Sequence, residues 1–166
     1  KTLRYEWSWN YPYATVQAHV GNGLLRLSGQ SRPGHQAGAA LCLRPTTSDY
    51  CLETVVLNQN ESWKGITFYG DDQNWMALVR KGNQLAVRIR LDGKEQTLFE
   101  QRWNAPLTYL RMEITAGTQS RFAVSQDGTN WQPITLNLSE ETARSLVRWD
   151  RISRPGLYQE GTEEAH

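Results

Sequence analysis

KGNQLAVRIRLDG, residues 81–93, is the stretch whose reading decides the fold of this chain. Between the turn signals Lys81-Gly82-Asn83 and Asp92-Gly93, apolar residues recur at every second position: Leu85, Val87, Ile89 and Leu91. A two-residue period marks a strand with one face buried and the other turned to water or to a partner. The same alternation returns in Leu110-Arg111-Met112-Glu113-Ile114. From Tyr50 to Trp131 such runs are separated by turn signals, Gly70-Asp71-Asp72 and Asp127-Gly128 among them, at a spacing of about ten residues, the rhythm of all-β sandwiches. Parallel sheets would need crossover helices, for which this block leaves no room. The expectation is an all-β fold, an antiparallel β-sandwich or jelly roll with at most one short helix.

Length and composition narrow the function. A chain of 166 residues suits a single module over 1–166 and can bury about 70% of its unfolded surface without metal or staples. Its formal charge is +1, and no basic cluster stands out, which argues against nucleic acid. No run approaches the ~18 apolar residues of a membrane span, and Lys1-Thr2-Leu3-Arg4 opens without the apolar core of a targeting peptide. No compartment is indicated. Seven Trp and seven Tyr exceed ordinary usage. Flat amphipathic rings stack on sugars, and they also fill sandwich cores, so composition leaves both roles open.

Along the chain, strands are expected at Leu3 to Trp9, Leu24 to Ser28 and Tyr50 to Leu57, then through the ladder to Ser125, with a last strand starting at Gly156-Leu157-Tyr158. Tyr11-Pro12-Tyr13 and Asn58 to Trp63 read as loops. Ser139 ahead of Glu140-Glu141-Thr142 has the form of a helix cap with acids in the first turn, followed by Ala143 to Val147. Cys42 and Cys51 flank Pro45 to Asp49. Read as a hairpin, this places the two thiols opposite one another within bridging distance; the sequence leaves open a disulfide or two reduced, buried side chains.

Catalytic patterns are missing. Glycoside hydrolysis needs two carboxyl groups roughly 5 to 10 Å apart, and no Glu-x-Asp-x-x-Glu arrangement, Gly-x-Ser-x-Gly elbow, phosphate loop or His-Glu-x-x-His occurs. His19, His35 and His166 read as surface or loop residues, and with two thiols they form no zinc spacing. In Ser125-Gln126-Asp127-Gly128-Thr129-Asn130-Trp131, Asp-Gly supplies the positive φ of a tight turn and Ser125 caps it, both structural roles.

Several segments, taken in order, resemble the concanavalin A-like β-sandwich at the C-terminus of glycoside hydrolase family 43 enzymes, the β-xylosidases and α-L-arabinofuranosidases. They are Glu6-Trp7-Ser8-Trp9-Asn10, Gly23 to Leu27, Gly65 to Tyr69 with Asp72 to Trp75, Leu110 to Glu113, Phe122 to Trp131 and Gly156-Leu157-Tyr158, and they span nearly the whole chain. The resemblance implies a noncatalytic module, because in that family the catalytic carboxylates belong to a separate five-bladed propeller on which the module packs. It implies no cofactor, although a terminal strand of the form Phe-Asp-x-Phe could support a structural calcium in such proteins. Here the sequence reaches Ala165-His166 without that strand, so the module is expected to be cut from, or to lack the last strand of, a longer protein.

Two functions follow as expectations. As a carbohydrate-binding module for xylan or a related plant cell-wall polysaccharide or oligosaccharide, the chain would use the loop aromatics Tyr11, Tyr13, Trp63 and Trp149. The outward positions Arg88, Arg90, Tyr109, Arg111 and Glu113 would add a sheet face if their strands are neighbours. As a structural accessory domain it would dock its aromatics on the glycoside hydrolase catalytic domain and bind no sugar. Trp7, Trp75 and Trp131 are expected to be structural.

Overall fold

The computed structural model of the chain describes residues 3–139, 142, 146 and 152–166. In chain order the strands are β1 (Trp7–Trp9), β2 (Gln17–Gly21), β3 (Leu24–Ser28), β4 (Ala39–Leu43), β5 (Tyr50–Val56), β6 (Trp63–Asp71) and β7 (Asn74–Lys81). They continue as β8 (Gln84–Leu91), β9 (Lys94–Arg102), β10 (Thr108–Thr115), β11 (Gln119–Ser125), β12 (Gln132–Ile134) and β13 (Arg154–Glu160). All pairings are antiparallel. A seven-stranded sheet in the order β1-β4-β13-β6-β7-β8-β9 faces a four-stranded sheet, β12-β11-β10-β5, and the hairpin β2-β3 stands beside them.

The alternation in residues 85–91 is satisfied by this stacking. Leu85, Val87 and Ile89, with Ile66, Phe68, Met76 and Leu78, point into the space between the sheets. Leu110, Met112, Ile114, Phe122 and Val124 meet them from the other side, so the two alternating runs are the two halves of one core. Asp92 and Gly93 both take positive φ, 47° and 78°, the geometry that lets a two-residue turn follow the twist of the strands it joins.

Four expectations are corrected. The strand read over Leu3 to Trp9 is only Trp7–Trp9, and β2 was not foreseen, although its Asn22-Gly23 dipeptide is a tight-turn signal that the structure uses with φ of 51° and 76°. The hairpin read across Pro45 to Asp49 is a corner instead. β4 lies in the seven-stranded sheet and β5 in the four-stranded one, so Cys42 and Cys51 are free, one buried and one exposed. Cys42 sits in the apolar layer on the outer side of the large sheet, while Cys51 pairs in register with Glu113, leaving no hairpin to bring them together. Trp63 is the first residue of β6 rather than a loop residue. The helix read at Ser139 to Val147 lies largely outside the described residues; within them, the Thr142 amide donates to Ser139 Oγ at 3.1 Å, as an N-cap would have it.

The outer side of the seven-stranded sheet carries a second apolar layer of Ala40, Tyr69, Trp75, Ala77, Val79 and Tyr158. It is closed at one end by Asn10, whose Nδ2 donates to Gly38 O at 2.8 Å and whose Oδ1 accepts from Ala40 N at 2.9 Å. Tyr158 Oη accepts from Gly38 N at 3.0 Å. The segment 35–38 is thereby strapped across the sheet.

Two buried cations at the end of the core were not legible as such. Arg80 Nε donates to Gly82 O at 2.9 Å and Nη1 to Thr108 Oγ1 at 2.5 Å. Lys64, its neighbour across β6 and β7, is 1% exposed and donates to Asn60 O at 3.0 Å and to Asn60 Oδ1. Burial, with the charge of Arg80 beside it, pulls the ammonium pKa of Lys64 down to about 8.

Candidate functional site

Three loops meet at one end of the sandwich and bring together residues that the sequence scatters. Tyr11 and Tyr13 lie in the turn after β1, where Tyr13 N donates to Asn10 O at 2.9 Å. The loop after β3 comes alongside: Arg32 Nε donates to Tyr11 O at 2.7 Å, and Arg32 N donates to Tyr13 O at 2.8 Å. The Tyr13 ring meets His35 edge-on, with centroids 5.1 Å apart. His35 Nδ1 lies 3.0 Å from Asp72 Oδ2, and the buried Asp72 also accepts from Ala37 N at 3.2 Å and Gln73 Nε2 at 2.9 Å. Arg90, on β8, reaches the same loop through Gln36 Oε1 and pairs with Glu95 at 3.7 Å. Tyr11, Tyr13 and Arg90 therefore all contact the loop 32–36. Their availability differs: Tyr11 is 65% exposed, Tyr13 is half-buried, and Arg90 is 3% exposed.

Trp63 belongs to the outer face of the large sheet, and its ring is covered. The Arg88 guanidinium sits 5.1 Å and the Lys81 ammonium 5.7 Å from its centroid. Arg88 also lies 5.8 Å from the Trp75 ring and donates to Glu160 Oε2 at 2.9 Å and to Glu95. Glu160 accepts from Tyr158 Oη at 2.8 Å. Burial works against the charge of Arg88, and Glu160 and Glu95 outweigh it, so the guanidinium pKa is held above its ordinary value. Glu95 and Glu160 thus flank one guanidinium, and Glu95 also lies 3.7 Å from Arg90.

Tyr109, Arg111 and Glu113 occupy a different surface. β10 belongs to the four-stranded sheet and β8 to the seven-stranded one, so the five outward residues Arg88, Arg90, Tyr109, Arg111 and Glu113 cannot share a face, and that expectation is corrected. The Arg111 guanidinium lies 3.9 Å over the Trp131 ring and donates to Glu53 Oε1 at 2.6 Å. Tyr109 packs on the Asp127-Gly128 turn, within 3.0 Å of where a Gly128 side chain would begin. The turn is built as read: Asp127 Oδ1 accepts from Thr129 N and Asn130 N, each at 2.8 Å, and these bonds hold its carboxyl well below the usual carboxylate range. Trp149 lies outside the described residues.

Among the described residues three aromatic rings are exposed. Tyr5 is 96%, Trp9 48% and Tyr11 65% exposed, all on one N-terminal segment. Trp9 borders a groove of about 490 Å³ whose other walls are Leu3, Val16, Ala18, Val20, Leu41 and a single polar side chain, His19. Sequence reading missed Trp9 because a ring on a short edge strand has the same alternation as a core ring, and Tyr5 because it was read into that strand, which begins only at Trp7. Among the described residues no group of three or more His, Cys, Asp or Glu side chains is arranged to hold a metal ion.

The family profile of the beta-xylosidase C-terminal concanavalin A-like domain matches residues 1–149. The chain belongs to that family. Among solved structures, the GH43 protein BlXynB of Bacillus licheniformis superposes with a TM-score of 0.75 at 16% identity, covering 99% of this chain and 36% of that one. The xylan beta-1,4-xylosidase of Bacillus halodurans C-125 follows with a TM-score of 0.68 at 19% identity, covering 86% of this chain and 31% of that one. A functionally unknown protein from Saccharomyces cerevisiae shares the fold with a TM-score of 0.58 at 17% identity, over 96% of this chain and 85% of its own. At these identities the likeness is one of fold. The xylosidase C-terminal domain thus spans about a third of the two bacterial proteins. No curated protein matches the chain.

Proposed function

We propose that the chain is a noncatalytic accessory domain of a family 43 glycoside hydrolase and that it docks on the catalytic domain through its N-terminal aromatic edge. One observation carries this reading: among the described residues the exposed rings, Tyr5, Trp9 and Tyr11, lie on one segment, and Trp9 borders an apolar groove with one polar wall residue. Interface cores favour such rings with few charges, whereas sugar sites surround them with convergent hydrogen-bonding groups. Trp63, the ring best placed on a sheet face, is covered by two cations. The family supports this occupant: its domain is described as C-terminal, and the matched region makes up about a third of the bacterial structures, which leaves the remainder of such a protein as the neighbour the edge would meet.

The sugar-binding reading keeps one specific support, the exposed Tyr11 beside Arg32. Calorimetric titration separates the two. The chain should bind the catalytic domain encoded with it, Trp9→Ser should weaken binding at least tenfold, and xylan or xylo-oligosaccharides at millimolar concentration should give no heat. Sugar binding abolished by Tyr11→Ala, with no affinity for the catalytic domain, would reverse the assignment.

A further inference from the structure

The outer face of the four-stranded sheet holds a hollow that the docking reading does not use. Leu110, Met112, Phe122 and Val124 point into the core, so Arg111 and Glu113 on β10, with Arg121 and Ala123 on β11, stand on the opposite face. The registers lay out two neighbouring rungs: Glu53, Arg111, Ala123 and Pro133 in one, Cys51, Glu113 and Arg121 in the next. Ala123, a methyl among longer side chains, is the floor of a hollow of about 230 Å³ walled by Arg111, Glu113, Arg121, Trp131 and Pro133. The indole and pyrrolidine rings supply apolar flanks, and the charged groups form the rest of the rim.

Those charged groups are unmatched. Glu113 and Arg121 are direct register partners, a placement that sets Cβ atoms about 5 Å apart. Neither makes an ion pair or hydrogen bond among the described residues. Arg111 gives its Nε to Glu53 Oε1 at 2.6 Å, across the rung from Ala123, and its guanidinium lies 3.9 Å over the Trp131 ring, which leaves its Nη groups. Around the hollow itself stand two guanidinium groups and one carboxylate. A ligand that matches them carries a carboxylate, because the guanidinium fork fits its two oxygens. Beside that carboxylate it needs a donor for Glu113, and then a short apolar body to lie on Ala123 between the two rings.

We propose that this hollow binds a small carboxylic acid with a hydrogen-bond donor on the adjacent carbon, an α-amino or α-hydroxy acid with an apolar side chain. Drug-sized ligands occupy pockets of about 300–1,000 Å³, so a hollow below that range takes a single small molecule of this kind. The site is independent of the docking edge, since Trp9 belongs to the other sheet.

The test titrates the isotope-labelled chain with four molecules that share one side chain: leucine, α-hydroxyisocaproate, isocaproate and leucinol. The amide of Ala123 and the indole N–H of Trp131 are followed by NMR. Leucine or α-hydroxyisocaproate should shift both signals to saturation with a Kd on the order of 1 mM, the stronger of the two showing which donor Glu113 takes. Isocaproate, which lacks the donor, should bind at least fivefold more weakly, and leucinol, which lacks the carboxylate, should give no saturable shift. Glu113→Gln should weaken the better ligand without weakening isocaproate, and Ala123→Leu, which fills the floor, should abolish binding of both. No saturable shift with any of the four, or the same affinity for all four, would overturn the proposal. So would xylose shifting the same two signals, which would make the hollow a polyol site.

Discussion

Replacing Arg88 tests whether the outer face of the large sheet is held by its charge network. The side chain is 9% exposed, lies between the rings of Trp63 and Trp75, and binds the carboxylates of Glu95 and Glu160. Removing one partner of a buried ion pair costs about 3–5 kcal/mol, because the remaining charge is left without compensation. Glu95 and Glu160 keep 31% and 28% side-chain exposure, so water can partly resolvate them and the low end of that range, about 3 kcal/mol, is expected for Arg88→Ala. In a domain of this size that corresponds to a fall in Tm of roughly 6–12 °C. Arg88→Met, which retains the stem packed on the rings, should cost less than Arg88→Ala, because the methylene stem covers apolar surface as well as carrying charge. Urea and thermal unfolding followed by near-UV circular dichroism would report both. A loss below about 1 kcal/mol for Arg88→Ala would place the pair with ordinary surface salt bridges and refute the reasoning.

Lys64 should make stability depend on pH. Its folded pKa of about 8 lies below the ordinary 10.5, so between these values the unfolded chain holds a proton that the folded one does not. Stability relative to Lys64→Met should therefore rise with pH across that window, by up to about 1.4 kcal/mol per unit, and chemical unfolding at pH 8.0 and 9.5 would show it; an unchanged or falling difference would contradict the burial of the ammonium. The cysteines should react unequally: Cys51 is exposed, while burial pushes the Cys42 thiol up to about 12, so a native thiol titration should yield one fast thiol per chain and a second only on unfolding. A chain with no titratable thiol would contradict the corner between β4 and β5.

The ladder from Tyr50 to Ser125 was legible because both of its signals are local: a two-residue period, and Asp-Gly or Lys-Gly turns that need positive φ. What failed depended on partners distant in the chain. Pro45 to Asp49 looks the same whether it closes a hairpin or crosses between sheets, since only the register of β4 with β13 and of β5 with β10 tells them apart. Arg88 and Arg111 both alternate outward, yet they emerge on opposite sides of the sandwich for the same reason. Trp63 reads as a loop ring because its Asn-rich neighbours are polar; the pairing of β6 with β13 that makes it part of a sheet lies about a hundred residues away. Tyr11 and Tyr13 were placed correctly as loop residues, but the cluster they join through Arg32, His35 and Asp72 has no linear signature.

The central claim, that the N-terminal aromatic edge is an interface, is tested most directly by hydroxyl-radical footprinting of the isolated chain against the same chain joined to its catalytic domain. Tyr5, Trp9 and Tyr11 should be oxidised readily in the isolated chain, in keeping with exposures of 96%, 48% and 65%, and should be protected at least fivefold in the joined protein, while Tyr109 and Trp131 on the four-stranded sheet stay unchanged. Equal oxidation of the three rings in both proteins, or protection confined to Tyr109 and Trp131, would contradict it.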